Sequence, residues 1–154
     1  MKRTHFLLAA AVSAAVLNIA HAAPAAQAGA PVTASAKFDA SNPFAKESSL
    51  PFNYPAWDKI RNEHFAPAYE EAMRQHAAEI DKIANNKAAP TFENTIVAME
   101  RAGRMLARVS TAFGTLSGSY TNDTLIALGR EMAPKLSQHS DAIRLNAKLY
   151  QRIN

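Results

Sequence analysis

Histidine is the side chain in this sequence best suited to proton transfer or metal ligation near neutral pH, and it occurs five times: His5, His21, His64, His76 and His139. A catalytic zinc needs three protein ligands converging on an open position, often with two histidines one helical turn apart. No two of these five have that spacing. The nearest approach is His76-Ala77-Ala78-Glu79, which puts an imidazole and a carboxylate on one helix face. Ile80 stands where the second histidine of an H-x-x-E-H arrangement would be. His76 and Glu79 are therefore expected to make an ordinary helix-surface contact. His139 falls on an apolar stripe and is expected to be a hydrogen-bonded core residue.

Other nucleophiles and charges point the same way. Ser110, Ser117 and Ser119 lie in a helical pattern without the G-x-S-x-G elbow that exposes a serine for attack. Gly114 to Gly118 (GTLSG) continues that pattern and follows no strand, so it is not expected to cradle a phosphate. Glu63, Glu70 and Glu71 occupy exposed helical positions with no signal of a raised pKa. Glu70 and Arg74 form an i,i+4 pair of the favourable polarity. Arg101, Arg104 and Arg108 would suit an anion-binding stripe, but charge runs of this kind usually stay solvated, and a solvated face is the expectation. With no cysteine there is neither thiolate chemistry nor a disulfide framework. No catalytic, cofactor-binding or metal-binding residue is expected in the chain.

The elements that would have to position a site are helical, and they begin behind a leader. Lys2 and Arg3 precede an apolar run from Phe6 to Ala20, and Ala20-His21-Ala22 has the small-x-small form that signal peptidase reads. The run is shorter than the roughly 20 residues of a spanning anchor, so cleavage after Ala22 and export to the periplasm or medium are expected. Removal of Met1 to Ala22 leaves 132 residues, with 15 basic and 13 acidic side chains. A net charge of +2 makes no case for nucleic acid, and once the leader is removed no membrane partner is expected.

Residues 23–37 (APAAQAGAPVTASAK) are too poor in large apolar side chains to offset their backbone entropy and read as a flexible tether. From Phe38 to Trp57, Pro43, Pro51 and Pro55 forbid a regular helix, and an extended segment is expected. Its five aromatics, Phe38, Phe44, Phe52, Tyr54 and Trp57, need pockets that no neighbouring residues supply.

Helical periodicity starts at Phe65 and runs through Tyr69, Met73, His76, Ile80 and Ile83, with Pro67 in the first turn and Asn85-Asn86 suited to a left-handed end. Thr91 can cap a second helix whose stripe is Phe92, Ile96, Met99, Leu106, Val109, Phe113, Leu116 and Tyr120. Beside it run Gly103, Ala107, Ser110, Gly114 and Gly118, which predict close passage of another backbone and a central helix gripped on two sides. Asn122 or Thr121 can cap a third helix, with Leu125, Leu128, Met132, Leu136, His139 and Ile143 in one register through Pro134, where a kink is expected. Asn146 can cap a last helix, with Leu149 and Ile153 turned inward. The class is all-α, with three to four helices over residues 58–154. Because the periodic pattern runs to Asn154 without a cap, the helical region is expected to be truncated there.

Several strings then resemble a known family. Asn42-Pro43-Phe44, Ser49-Leu50-Pro51-Phe52, Asp58-Lys59-Ile60, Glu63-His64-Phe65-Ala66-Pro67-Ala68 and Ile83-Ala84-Asn85-Asn86 are similar to the peptidyl-dipeptidase branch of the thimet oligopeptidase family of zinc peptidases. The most specific is Pro90-Thr91-Phe92-Glu93-Asn94-Thr95-Ile96, and Thr121 to Thr124 and Glu131 to Ile143 continue it. The resemblance implies one wall of a large, mostly helical, channelled peptidase that releases C-terminal dipeptides from oligopeptides. It also implies a zinc held by an HExxH helix and a later glutamate, none of which this chain contains. His64 would belong to the scaffold. On this view the chain alone is inactive and its partner is the missing catalytic region. A free-standing periplasmic helical binding or adaptor module, and a fragment of an oligopeptidase A-like endopeptidase, are the alternatives.

Overall fold

A computed structural model describes residues 37–154; the expected leader and the tether up to Ala36 lie outside the described residues. Among the described residues there is no strand, in keeping with the all-α expectation. The helices are α1 (Phe65–Ala84), α2 (Ala98–Arg101), α3 (Arg104–Ser119), α4 (Asp123–Arg144) and α5 (Ala147–Ile153). One wide π-type turn, Glu93–Val97, leads into α2, and 3-10 turns occur at Pro51–Asn53 and Asn62–His64. No described helix is long and apolar enough to cross a membrane.

α1 is the axis of the fold, packing against α3, α4, α5 and α2. The sequence pattern pointed instead to the second helix as the one gripped on two sides. Alanines explain the difference: Ala66, Ala68 and Ala72 are buried on α1, where their short side chains let neighbours approach on more than one face. α1 ends at Ala84, but not through a left-handed asparagine. Asn85 has φ −99°, and its side-chain amide instead donates to the carbonyl of Asp81 at 2.8 Å.

The expected single helix from Thr91 to Tyr120 is two. Thr91 does cap its start, its hydroxyl accepting from the Asn94 N–H at 3.1 Å while the Asn94 side chain accepts from the Thr91 N–H at 2.9 Å. The path then breaks where Ala102 turns extended (ψ 157°) and Gly103 takes φ +71°. A left-handed residue is cheap only for glycine, so the sequence permits the break there and nowhere nearby. The glycines of the small-residue row do not mark a passing backbone. A Cβ on Gly103 would lie 3.0 Å from the His76 ring, a side chain, and Gly114 and Gly118 have nothing within 4 Å.

α4 is capped by Asn122, whose side chain accepts from the Leu125 N–H at 3.0 Å, and it continues past Pro134 in one register. α5 is capped likewise by Asn146, which accepts from Leu149 at 3.0 Å. Leu149 turns inward as expected, whereas Ile153 is about half exposed.

The segment before α1 folds as turns, with no long extended run. Buried Asn42 accepts from the Phe44 N–H at 3.0 Å and donates to the His64 carbonyl at 3.0 Å, fastening this segment to the start of α1. Three of its aromatics find pockets. Phe44 is buried against Phe65 with ring centroids 5.3 Å apart, and Phe38 and Trp57 are partly buried on the same cluster. Phe52 and Tyr54 stay exposed, as do Phe92 and Tyr120 from the expected apolar stripe.

The interior has two clusters. The main one is built on Phe65, Tyr69, Val109, Leu125, Leu128 and Met132. A smaller one gathers Ile80, Ile83, Ala84 and Leu149, with Ala98, Met99, Ala102 and Ile143 packed on it.

Candidate functional site

The residues with chemistry are mostly engaged in holding the scaffold. His64 ends the turn before α1, where its Nδ1 accepts from the Arg61 N–H at 3.1 Å. Glu71 takes Arg74 in a two-pronged pair at 2.6 and 2.8 Å, so the Glu70–Arg74 pair suggested by spacing does not form. These hydrogen bonds from Arg74, and one from Gln75, pull the Glu71 carboxyl down to about 2. Glu70 instead accepts from Lys135 Nζ at 3.0 Å, reaching from α1 to α4. Glu63 is exposed.

The three arginines do not form one stripe, because the Gly103 break separates Arg101 on α2 from Arg104 and Arg108 on α3. Arg101 pairs with Glu93 at 3.1 Å, and Arg104 and Arg108 share Glu47 at 3.5 and 3.4 Å. Arg108 also donates to the Phe44 carbonyl at 3.4 Å, and with Arg104, Ala107, Phe44, Phe52 and Ile60 it borders a cleft of about 680 Å³. Arg104 and Arg108 are matched to Glu47 in this cleft, which Lys46, Asp58 and Lys59 also line, and no histidine is among its lining residues. Burial pushes the Tyr69 phenol up, an effect opposed by the Ser110 hydroxyl. Ser117 Oγ is buried without a hydrogen-bond partner, and Ser119 is exposed at the end of α3.

The meeting of two histidines among the described residues was not legible from spacing. His76 Nδ1 and His139 Nε2 lie 3.0 Å apart, across 63 residues of chain, at a partly buried junction of α1 and α4. One imidazole donates and the other accepts. Beside them Glu79 accepts from the Gly103 N–H at 2.7 Å. A small groove lined by His76, His139, Leu106, Leu136, Ile143 and Arg144 opens onto the pair. The helix-surface contact expected for His76 and Glu79 is thus something else: each reaches across to a different element. His139 is hydrogen-bonded, as the apolar stripe implied, although it is only partly buried.

These residues do not suit the zinc of the resembled family. The rings are tilted with centroids 5.1 Å apart, and the two nitrogens are 3.0 Å apart, hydrogen-bond distance along the line that joins them. Two imidazoles sharing a tetrahedral zinc at 2.0–2.1 Å would instead aim their lone pairs at a common point off that line, with nitrogens about 3.3 Å apart. A separation of 3.0 Å is that of a shared proton. No group of three histidine, aspartate or glutamate side chains converges among the described residues.

No family model matches the chain. Among curated proteins, the dipeptidyl carboxypeptidase of Escherichia coli (strain K12) is 40% identical over 113 residues, covering 73% of this chain and 17% of the relative. The dipeptidyl carboxypeptidase of Salmonella typhimurium (strain LT2) is 38% identical over 114 residues, covering 74% and 17%. The chain therefore spans about one sixth of the length of the curated relatives it matches. The helices built around α1 are those of a dipeptidyl carboxypeptidase-related chain.

Proposed function

We propose that this chain supplies scaffold to an exported, zinc-dependent peptidyl-dipeptidase that releases C-terminal dipeptides from oligopeptides, and that it is inactive alone. The observation that carries this reading is the 40% identity over 113 residues to a protein named dipeptidyl carboxypeptidase. Export is supported by Lys2, Arg3, the apolar run and Ala20-His21-Ala22. Inactivity is supported by the donor set, because His76 and His139 are joined by no third ligand among the described residues and no HExxH string is present. Polarising a water or a peptide carbonyl would then fall to residues outside these 154.

A peptide-hydrolysis assay tests the proposal. The purified chain, with or without added zinc, is expected to release no dipeptides. Mixing it with a separately produced polypeptide that carries an HExxH region and lacks this segment is expected to restore chelator-sensitive release. Chelator-sensitive turnover by the chain alone, or a catalytic polypeptide indifferent to its addition, would count against the proposal.

A further inference from the structure

A polar layer separates the two apolar clusters on every element that runs between them. On α1, Ala72 belongs to the main cluster and Ile80 to the smaller one, with His76 between. On α4, Leu136 packs on the main cluster and Ile143 on the smaller, with His139 between. At the break before α3, Ala102 packs on the smaller cluster and Met105 lies in the main one, with Gly103 between. The three intermediate residues meet. His76 is hydrogen-bonded to His139 at 3.0 Å, and its ring lies against Gly103, where an added Cβ would be 3.0 Å away. Glu79 clamps the Gly103 N–H at 2.7 Å.

We propose that this layer is a proton-operated joint. With the imidazoles neutral, or sharing one proton, the clusters are fastened together; a second proton releases the smaller cluster, formed by the end of α1, α2, the last turns of α4, and α5. A single added proton keeps an N–H between the rings, so the bond survives and becomes charge-assisted. A second leaves both facing nitrogens as donors, two like charges 3.0 Å apart with no acceptor between them. The pair therefore titrates in two coupled steps.

The surrounding charges set where those steps fall. From α1 the carboxylate of Glu79 faces His76 and favours its protonation; from α4 the guanidinium-bearing Arg144 borders the same groove. The α2–α3 break contributes only the Gly103 backbone and apolar Leu106. Burial, the larger influence, holds His76 below the ordinary 6.5 despite Glu79, and burial followed by the charge of His76 does the same for His139. A folded-state value below the unfolded one means the unfolded chain binds more protons in that window. The joint's contribution to stability is therefore present above about 6.5 and lost as pH falls through the folded-state values.

Amide hydrogen exchange on the full chain at about pH 7.5 and about pH 5, corrected for intrinsic rates, tests the joint. Amides from Ile143 to Ile153 are expected to lose protection by about tenfold or more relative to those of Tyr69, Val109 and Leu128. H76N and H139Q place non-titrating amide groups where Nδ1 and Nε2 now stand, and either is expected to remove that pH dependence. Equal loss in both clusters, or an unchanged pH dependence in the two variants, would overturn the joint. Should a variant fail to fold, NMR titration of the wild-type imidazoles decides. Two coupled steps below 6.5 support the joint, and two independent titrations at 6.5 defeat it.

Discussion

Three glycines of this chain lie in or beside α3, and their surroundings assign them opposite roles. Gly103 has φ +71°, and a side chain there would meet the His76 ring at 3.0 Å. Gly114 and Gly118 lie in helical geometry with open space around them. Gly103→Ala is therefore expected to destabilise the fold by about 1–3 kcal/mol, through backbone strain and displacement of the ring. Gly114→Ala is expected to stabilise it by about 0.5–1 kcal/mol, because it restricts the unfolded chain and meets no neighbour. Urea unfolding of the two variants reads both signs at once. Equal effects would mean that the break at residue 103 is not a fixed feature.

Among the elements, α4 shows how much one capping residue carries. Asn122 satisfies the Leu125 N–H and also accepts from the Asn62 side chain at 3.2 Å, tying the start of α4 to the turn before α1. Asn122→Ala is expected to cost about 1–2 kcal/mol, and Asn122→Asp, which keeps the acceptor, much less. Thermal melts followed by circular dichroism measure the difference. α5 is secured by polar contacts as well as by Leu149. Arg152 donates to the carbonyls of Asn86 and Ala88 at 2.7 and 3.2 Å and to the Asn94 side chain at 2.9 Å. Lys148 reaches the Asn85 side chain at 2.7 Å. A seven-residue helix is held here by the loop that it crosses.

At the scale of the whole molecule, the exposed aromatics stand out against two modest clusters. Phe52 is fully exposed and sits at φ 58°, a left-handed conformation that costs a phenylalanine about 1–2 kcal/mol. Phe92, Tyr120 and Tyr150 are exposed as well. A scaffold segment of a larger peptidase, as proposed above, would account for apolar side chains left uncovered here. Phe52→Gly is expected to raise the stability of the isolated chain by about 1 kcal/mol and to lower its binding of an apolar dye. A loss of stability in that variant would show that Phe52 is held by contacts within the chain.

The sequence by itself determined the helical class, the start and end of α1, the caps at Thr91, Asn122 and Asn146, and the relation to peptidyl-dipeptidases. These follow from local periodicity, from side chains that bond their own backbone, and from strings of neighbouring residues. It could not disclose the break at Gly103, since an unbroken apolar stripe and a broken one read alike until the αL glycine is seen under the His76 ring. Nor could it show that Arg74 chooses Glu71 over Glu70, because Lys135 reaches Glu70 from another helix. The pairing of His76 with His139 was decided by tertiary structure alone: only the packing of α4 on α1 brings two imidazoles 63 positions apart to within one hydrogen bond.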